Sequence, residues 1–277
     1  MSKDADFDLI IEAGKTESEY WKDIWRFREL FYFMAWRDLL VRYKQTVIGV
    51  AWSVLRPLLT MLAFVLVFNK VAKLDSPGVP YPILVFVALL PWQLFSNSLS
   101  EASNSLIANS NMISKVYFPR MIVPISSIIV CLADFLFSLA ILIILMIYYQ
   151  FVPDWKIIFV PMFLVMALLT AIGAGLWLAA LNVKYRDFRY VVPFIVQFGL
   201  YVSPVGFDSN IVPEKWRFIY SLNPMVGVID GFRWCFFGMN TAFYWPGFFV
   251  SLLFVFLLLF IGVTYFRSTE KTFADKI

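Results

Sequence analysis

The stretch NVKYRDFRYVVP, residues 182–193, places Lys184, Arg186, Asp187 and Arg189 within six residues, between two long apolar runs. Charges packed that tightly cannot sit in hydrocarbon. The link therefore lies at a membrane surface, and three cations against one anion point to the cytosolic one. The apolar runs approach 20 residues, the length at which an α-helix crosses a hydrocarbon core about 30 Å thick; a barrel would need alternating segments of about ten. The expected fold class is all-α, a polytopic membrane protein.

Composition agrees. Of 277 residues, 61% are hydrophobic and 15% charged, whereas soluble domains average about 45–50% apolar and 25% charged. The net charge of +4 follows membrane topology and does not indicate nucleic-acid binding. The acidic start MSKDADFDLI lacks the apolar core of a cleavable signal, so insertion is expected to use internal spans. Cys131 and Cys235 have neither disulfide-framework nor zinc spacing. With no histidine, Ser-His-Asp hydrolysis and the common metal sites lose their usual base or ligand, so no catalytic or metal site is expected and the chain does not read as an enzyme. Gly14, Lys15 and Thr16 mimic the end of a phosphate-binding loop, but Leu9 stands where its first glycine belongs and no α/β pattern follows.

Working outward from the charged link gives six expected spans, at about 47–68, 82–101, 121–149, 157–183, 190–206 and 245–266. Residues 1–46 form a cytosolic segment in which Thr16 and Glu19 have capping-box spacing. Ile24, Phe27, Phe31 and Met34 then recur on one helical face up to about Thr46. This is either an amphipathic helix seated on the membrane, as Trp21, Trp25 and Trp36 favour, or a leader that supplies positive-inside charge. Arg56 in the first span either snorkels to the interface or faces inward, with Asp134 of the third span a candidate partner. Asp134 itself reads as a functional carboxyl or as a neutral, hydrogen-bonded one. Gln93, Asn97, Ser100 and Asn104 form one stripe of the second span, as glue between helices or as pore lining. Residues 107–120 should form a short surface helix before Pro119. Ala167, Ala171, Gly175 and Ala179 make a ridge along which a neighbouring helix can approach. Residues 207–245 read as two short helices dipping in from outside, the second capped by Asn223 and Pro224 and ended by Gly238. Residues 268–277 form a cytosolic tail. On this drawing 16 of the 23 Lys and Arg fall inside and six outside, with Arg56 in a span, which places both termini in the cytosol.

Four blocks then carry a family resemblance: WRDLLVRYKQTVIGVAWSVLRP (36–57), ISKVYFPRMIVPIS (113–126), VKYRDFRYVVPF (183–194), and SLNPM (221–225) followed by GFRW (231–234). In order and register, from about residue 30 to 240, the chain resembles the membrane (permease) subunits of polysaccharide-exporting ABC transporters of the O-antigen and teichoic acid type. The resemblance implies a bacterial inner-membrane protein that pairs with a second copy of itself and with two copies of a cytosolic ATPase. ATP and Mg would then sit on the ATPase, with no cofactor in this chain, and the dimer would enclose a channel for a lipid-linked glycan. It also implies two coupling helices, mapping to 107–120, with Asn111, Lys115, Tyr117 and Arg120, and to Lys184, Arg186, Asp187 and Arg189. One acid among three bases places Asp187 to pair locally and brace its link. The N-terminal helix matches the family's interface helix and the outer pair its gate helices. Candidate channel residues are Gln93, Asn97, Gln197 and the span-5 stripe of Tyr190, Phe194, Phe198 and Tyr201, whose rings suit sugar C–H faces but equally suit lipid or helix contacts. The competing readings are a related permease for small hydrophobic substrates and a membrane glycosyl- or acyltransferase. The latter needs clustered acids or histidines that this sequence lacks.

Overall fold

The computed structural model of the chain describes residues 17–44, 47–73, 78–238 and 243–273; they are helical nearly throughout, with no strand among them. The loop-like Gly14-Lys15-Thr16, the Thr16 cap and the last four residues fall outside the described part. Five helices among the described residues are long and apolar enough to cross a membrane: Ala51–Val71, Tyr81–Ala108, Ile122–Tyr148, Trp155–Lys184 and Trp245–Glu270.

The N-terminal helix forms in two pieces, α1 (Glu17–Arg26) and α2 (Arg28–Lys44). Phe27 between them still donates its N–H to the Asp23 carbonyl and accepts from Phe31, so the axis barely breaks. Met34 is buried in a cluster with Leu106, Phe118, Met121 and Phe266, and Ile24, Phe27 and Phe31 pack beside it. Trp21, Trp25 and Trp36 stay exposed. The apolar face is the one its spacing indicated.

Helix α3 (Val47–Phe64) carries Pro57 and runs into a π-helical turn, Val65–Val71. It is a peripheral element: 17% of its most apolar window is buried, against 78% for α4 (Tyr81–Ala108). Helix α4 is the central staff, and every residue from Ile83 to Trp92 is buried. A single turn, α5 (Ser110–Ile113), follows it. Of the surface helix expected over 107–120, only the last two residues of α4 and this single turn are helical, and the rest up to Arg120 is turn and irregular chain. Beyond it stand α6 (Ile122–Tyr148), a 3-10 turn at Trp155–Phe159 and α7 (Val160–Lys184).

Helix α8 (Phe188–Val202) replaces the span expected over 190–206 and has 15 residues. At 1.5 Å per residue it covers about 22 Å, short of a full hydrocarbon crossing. Its end has a local cause: Ser203 is extended ahead of Pro204, as a residue before proline prefers. Two short helices are present within 207–245, α9 (Glu214–Tyr220) and α10 (Pro224–Phe237). The Asn223 side chain accepts from the Met225 N–H, and Gly238 closes α10 at φ 64°. The chain ends in α11 (Trp245–Glu270).

Helix α7 is held by small residues on two sides. The ridge of Ala167, Ala171, Gly175 and Ala179 is buried, and a Cβ on Gly175 would lie 2.9 Å from the Ala102 Cβ of α4. On another face, a Cβ on Gly173 would come 2.6 Å from the Leu259 N, and one on Gly262 would overlap the Gly173 carbonyl oxygen. Helices α7 and α11 therefore meet backbone to backbone, as membrane helices do through small residues. Gly175→Leu should destabilise the purified protein by about 1–3 kcal/mol, the usual range for overpacking. Gly262→Leu should cost more because backbone cannot yield. Leu253→Ala, on the exposed face of α11, should change thermal unfolding in detergent little, and equal melting of all three variants would show the ridge to be slack.

Candidate functional site

Between peripheral α3 and α8 and the inner α4 and α6 lies a cleft of about 710 Å³. Gln93, Asn97 and Ser100 of the α4 stripe line it, as does Gln197 of α8. The fourth stripe residue, Asn104, instead accepts from Asn182, whose amide also donates to the Ser103 carbonyl at 2.9 Å. The stripe thus divides: three residues face open space, and one is glue that seats the start of the charged link. Tyr190, Phe194, Phe198 and Tyr201 are exposed and not part of the cleft wall. Phe194 and Phe198 stack on each other with centroids 5.9 Å apart, and Tyr201 stacks on Phe64 of α3.

The cleft contains the strongest polar cluster in the spans. Asp134 of α6 accepts from Arg42 at 2.9 Å, Tyr43 at 2.5 Å and Ser53 at 3.2 Å. Arg42 also pairs with Glu101 of α4. One guanidinium therefore ties the end of α2 to two inner helices. Burial, and then the hydrogen-bonded Asp134, push the Tyr43 hydroxyl well above its ordinary range, so it stays a donor at any physiological pH. Sequence reading had offered Arg56 to Asp134, and the structure gives it Arg42. Spacing alone could not pair residues 92 positions apart, although a carboxylate in a span calls for some cation. Arg56 lines the same cleft.

A second cluster sits where the first polar link meets the chain's last helix. The backbone N–H of Arg120 donates to the Glu270 carboxylate at 2.7 Å, and its guanidinium donates to the Glu270 carbonyl. The Arg267 guanidinium lies 3.8 Å from the Tyr20 ring centroid, a cation–π contact that joins α1 to the same corner. Arg120 is therefore a brace, while Asn111, Lys115 and Tyr117 are exposed. In the other link Lys184, Arg186, Asp187 and Arg189 are all exposed. The local pairing expected of Asp187 is not formed. Its side chain makes no ion pair or capping bond among the described residues.

At the far end of the bundle Arg233 of α10 is buried, donating to the Phe207 carbonyl at 2.7 Å and the Val205 carbonyl at 3.1 Å. Loss of hydration pushes the nearby Asp230 carboxyl up to about 6 despite the pull of Arg233. Arg233 stitches α10 to the segment after α8, and the Tyr81 hydroxyl adds a bond to the Gly206 carbonyl at 2.5 Å.

The family described as ABC-2 type transporter matches residues 29–237, about three quarters of the chain. The chain belongs to that family. Among curated proteins it is similar to the O-antigen export system permease protein RfbA of Myxococcus xanthus, 28% identical over 92% of this chain and 98% of the relative. An RfbA from Klebsiella pneumoniae is also 28% identical, over 86% of this chain and 91% of that protein. The polysialic acid transport protein KpsM of Escherichia coli is 23% identical over 85% of this chain and 91% of its own length. In this ABC-2 chain the matched stretch takes in the cleft, both polar links and α10.

The Arg42–Asp134 tie predicts a measurable coupling. In a double-mutant cycle of Arg42→Gln and Asp134→Asn, thermal unfolding should give an interaction energy of about 1–3 kcal/mol, the range for charge-assisted hydrogen bonds between contacting groups. Additive effects would show that the pair holds nothing.

Proposed function

We propose that this chain is the channel-forming permease subunit of an ATP-driven exporter that moves a lipid-linked polysaccharide, O-antigen-like in kind, across the bacterial cytoplasmic membrane. The observation that carries the reading is the match to RfbA over nearly the whole of both chains. It is supported by a polar cleft between helices and by exposed charged links at one end of the bundle. The working unit pairs two copies of this chain with two copies of a separate cytosolic ATPase, and ATP and Mg bind there.

In this reading α8 and the residues flanking it together make a sixth crossing, with α9 and α10 forming a re-entrant pair on the outer side and both termini in the cytosol. On a background lacking Cys131 and Cys235, a cysteine at position 214 should react with a membrane-impermeant thiol reagent from outside the cell. Labelling only after the cytosolic face is opened would reverse the drawing.

An ATPase can move the spans only through contacts that differ between its nucleotide states. Lys184, Arg186, Asp187 and Arg189 present unsatisfied charge for such contacts. Asp187→Ala should leave the chain inserted and melting normally but reduce co-purification with the ATPase and lower glycan export at least tenfold, read side by side. Unchanged export, or ATP hydrolysis by this chain purified alone, would overturn the half-transporter mechanism.

A further inference from the structure

In the first polar link the one run of consecutive exposed residues is 114–117, and it lies between Ile113 and Phe118, which are both buried. Those two flanks enter one apolar cluster with Met34 of α2, Phe266 of α11 and Phe273, which stands just past the end of α11. Phe273 is fully buried and meets the Phe266 ring edge-on, with centroids 5.2 Å apart. At the same corner Glu270 holds Arg120 twice: its carboxylate accepts the backbone N–H at 2.7 Å, and its carbonyl accepts from the guanidinium. A carboxylate that takes a backbone N–H makes a strong bond, and it fixes the main chain itself and not only a side chain. Tyr20 brings α1 to this corner. Its hydroxyl is buried without a hydrogen bond of full geometry, and burial, then the Glu270 carboxylate, push it well above its ordinary range.

We infer that Glu270, together with Phe273, positions the first polar link: the end of α11 is the seat that holds residues 114–117 in one orientation for the partner that docks on them. That the partner is the ATPase rests on the export reading; that the link is seated does not. A purely stabilising role for Glu270 has a different consequence. It would lower the melting temperature of the chain and leave the link unchanged in the protein that remains folded.

A nitroxide on Ser114→Cys, on the background lacking Cys131 and Cys235, reports the link in the full-length chain in lipid nanodiscs. Spectra are read on the folded, monodisperse fraction of each variant. The otherwise unsubstituted chain should give a mainly immobile label. Glu270→Leu should raise the ratio of mobile to immobile label about tenfold or more, the factor that follows from losing a hydrogen bond to a charged group. Glu270→Gln keeps an acceptor oxygen for the Arg120 N–H and should retain most of the immobile signal. Phe273→Ala should loosen the label in the same direction as Glu270→Leu. Should Glu270→Leu fail to fold, Arg120→Gln, which drops only the guanidinium bond, carries the same expectation. Co-purification of the ATPase, measured in parallel, should fall as the label loosens. No ATPase on the unsubstituted chain would count against the export reading, and the spectra would still decide the seat. An immobile label in folded Glu270→Leu or Arg120→Gln, or Glu270→Gln as loose as Glu270→Leu, would overturn the assignment.

Discussion

The close approach of α7 to its neighbours is the constraint on which the rest depends. Lipid tails are as apolar as leucine, so burying apolar surface cannot by itself hold two helices together in a bilayer, and packing contact and hydrogen bonds must do so. Gly173 against Gly262 and Gly175 against Ala102 let α7 touch α11 and α4 at backbone range. That contact makes α4, α7 and α11 a dense inner body, and it leaves α3 and α8 outside with large exposed apolar faces. The cleft lies where these two peripheral helices stand off from α4 and α6, although Gly199 of α8 still packs on Trp92 of α4.

Charge placement follows from that division. Three arginines each join two elements. Arg42 pins the end of α2 to α4 and α6, Arg120 pins the first link to α11, and Arg233 pins α10 to the chain leaving α8. Pairing offsets the cost of burying these groups only where geometry is good, so each tie also fixes a relative orientation. The bonds serve as joints. They hold the outer elements without fusing them to the core.

The architecture was legible in the sequence wherever one residue type has one physical meaning. Apolar run length gave four spans to within a few residues, and Asn223, Pro224 and Gly238 gave α10 its ends, because caps and left-handed closures are local requirements. Helix α8 was overextended since the apolar run continues past Val202, and only the Ser203-Pro204 geometry stops it. The site was legible by side chain but not by pairing. Gln93, Asn97 and Gln197 were found because a polar stripe must face something other than lipid. Arg42 was missed because its partners lie 59 and 92 residues away, and a long flexible side chain leaves no periodic trace. The same blindness hid the partners of Arg233, whose carbonyl acceptors at Val205 and Phe207 lie 28 and 26 residues away.

The two polar links also differ mechanically, and the difference bears on how a motor would use them. The first leaves α4 at Ala108 and is tied by Arg120 to the end of α11, so a push on it is delivered to two helices of the inner body at once. The second is anchored at Asn182, where α7 meets α4, but between Tyr185 and Arg189 its side chains make no comparable tie, and it leads directly into α8. A push there enters a short peripheral helix that faces the cleft and stacks on α3 through Tyr201. The first link is therefore joined to the inner body by side-chain bonds, whereas the second leads only into the peripheral helix that walls the cleft. A cycle that opens and resets such a cleft needs both: a fixed frame to push against, and one lever free to turn within it.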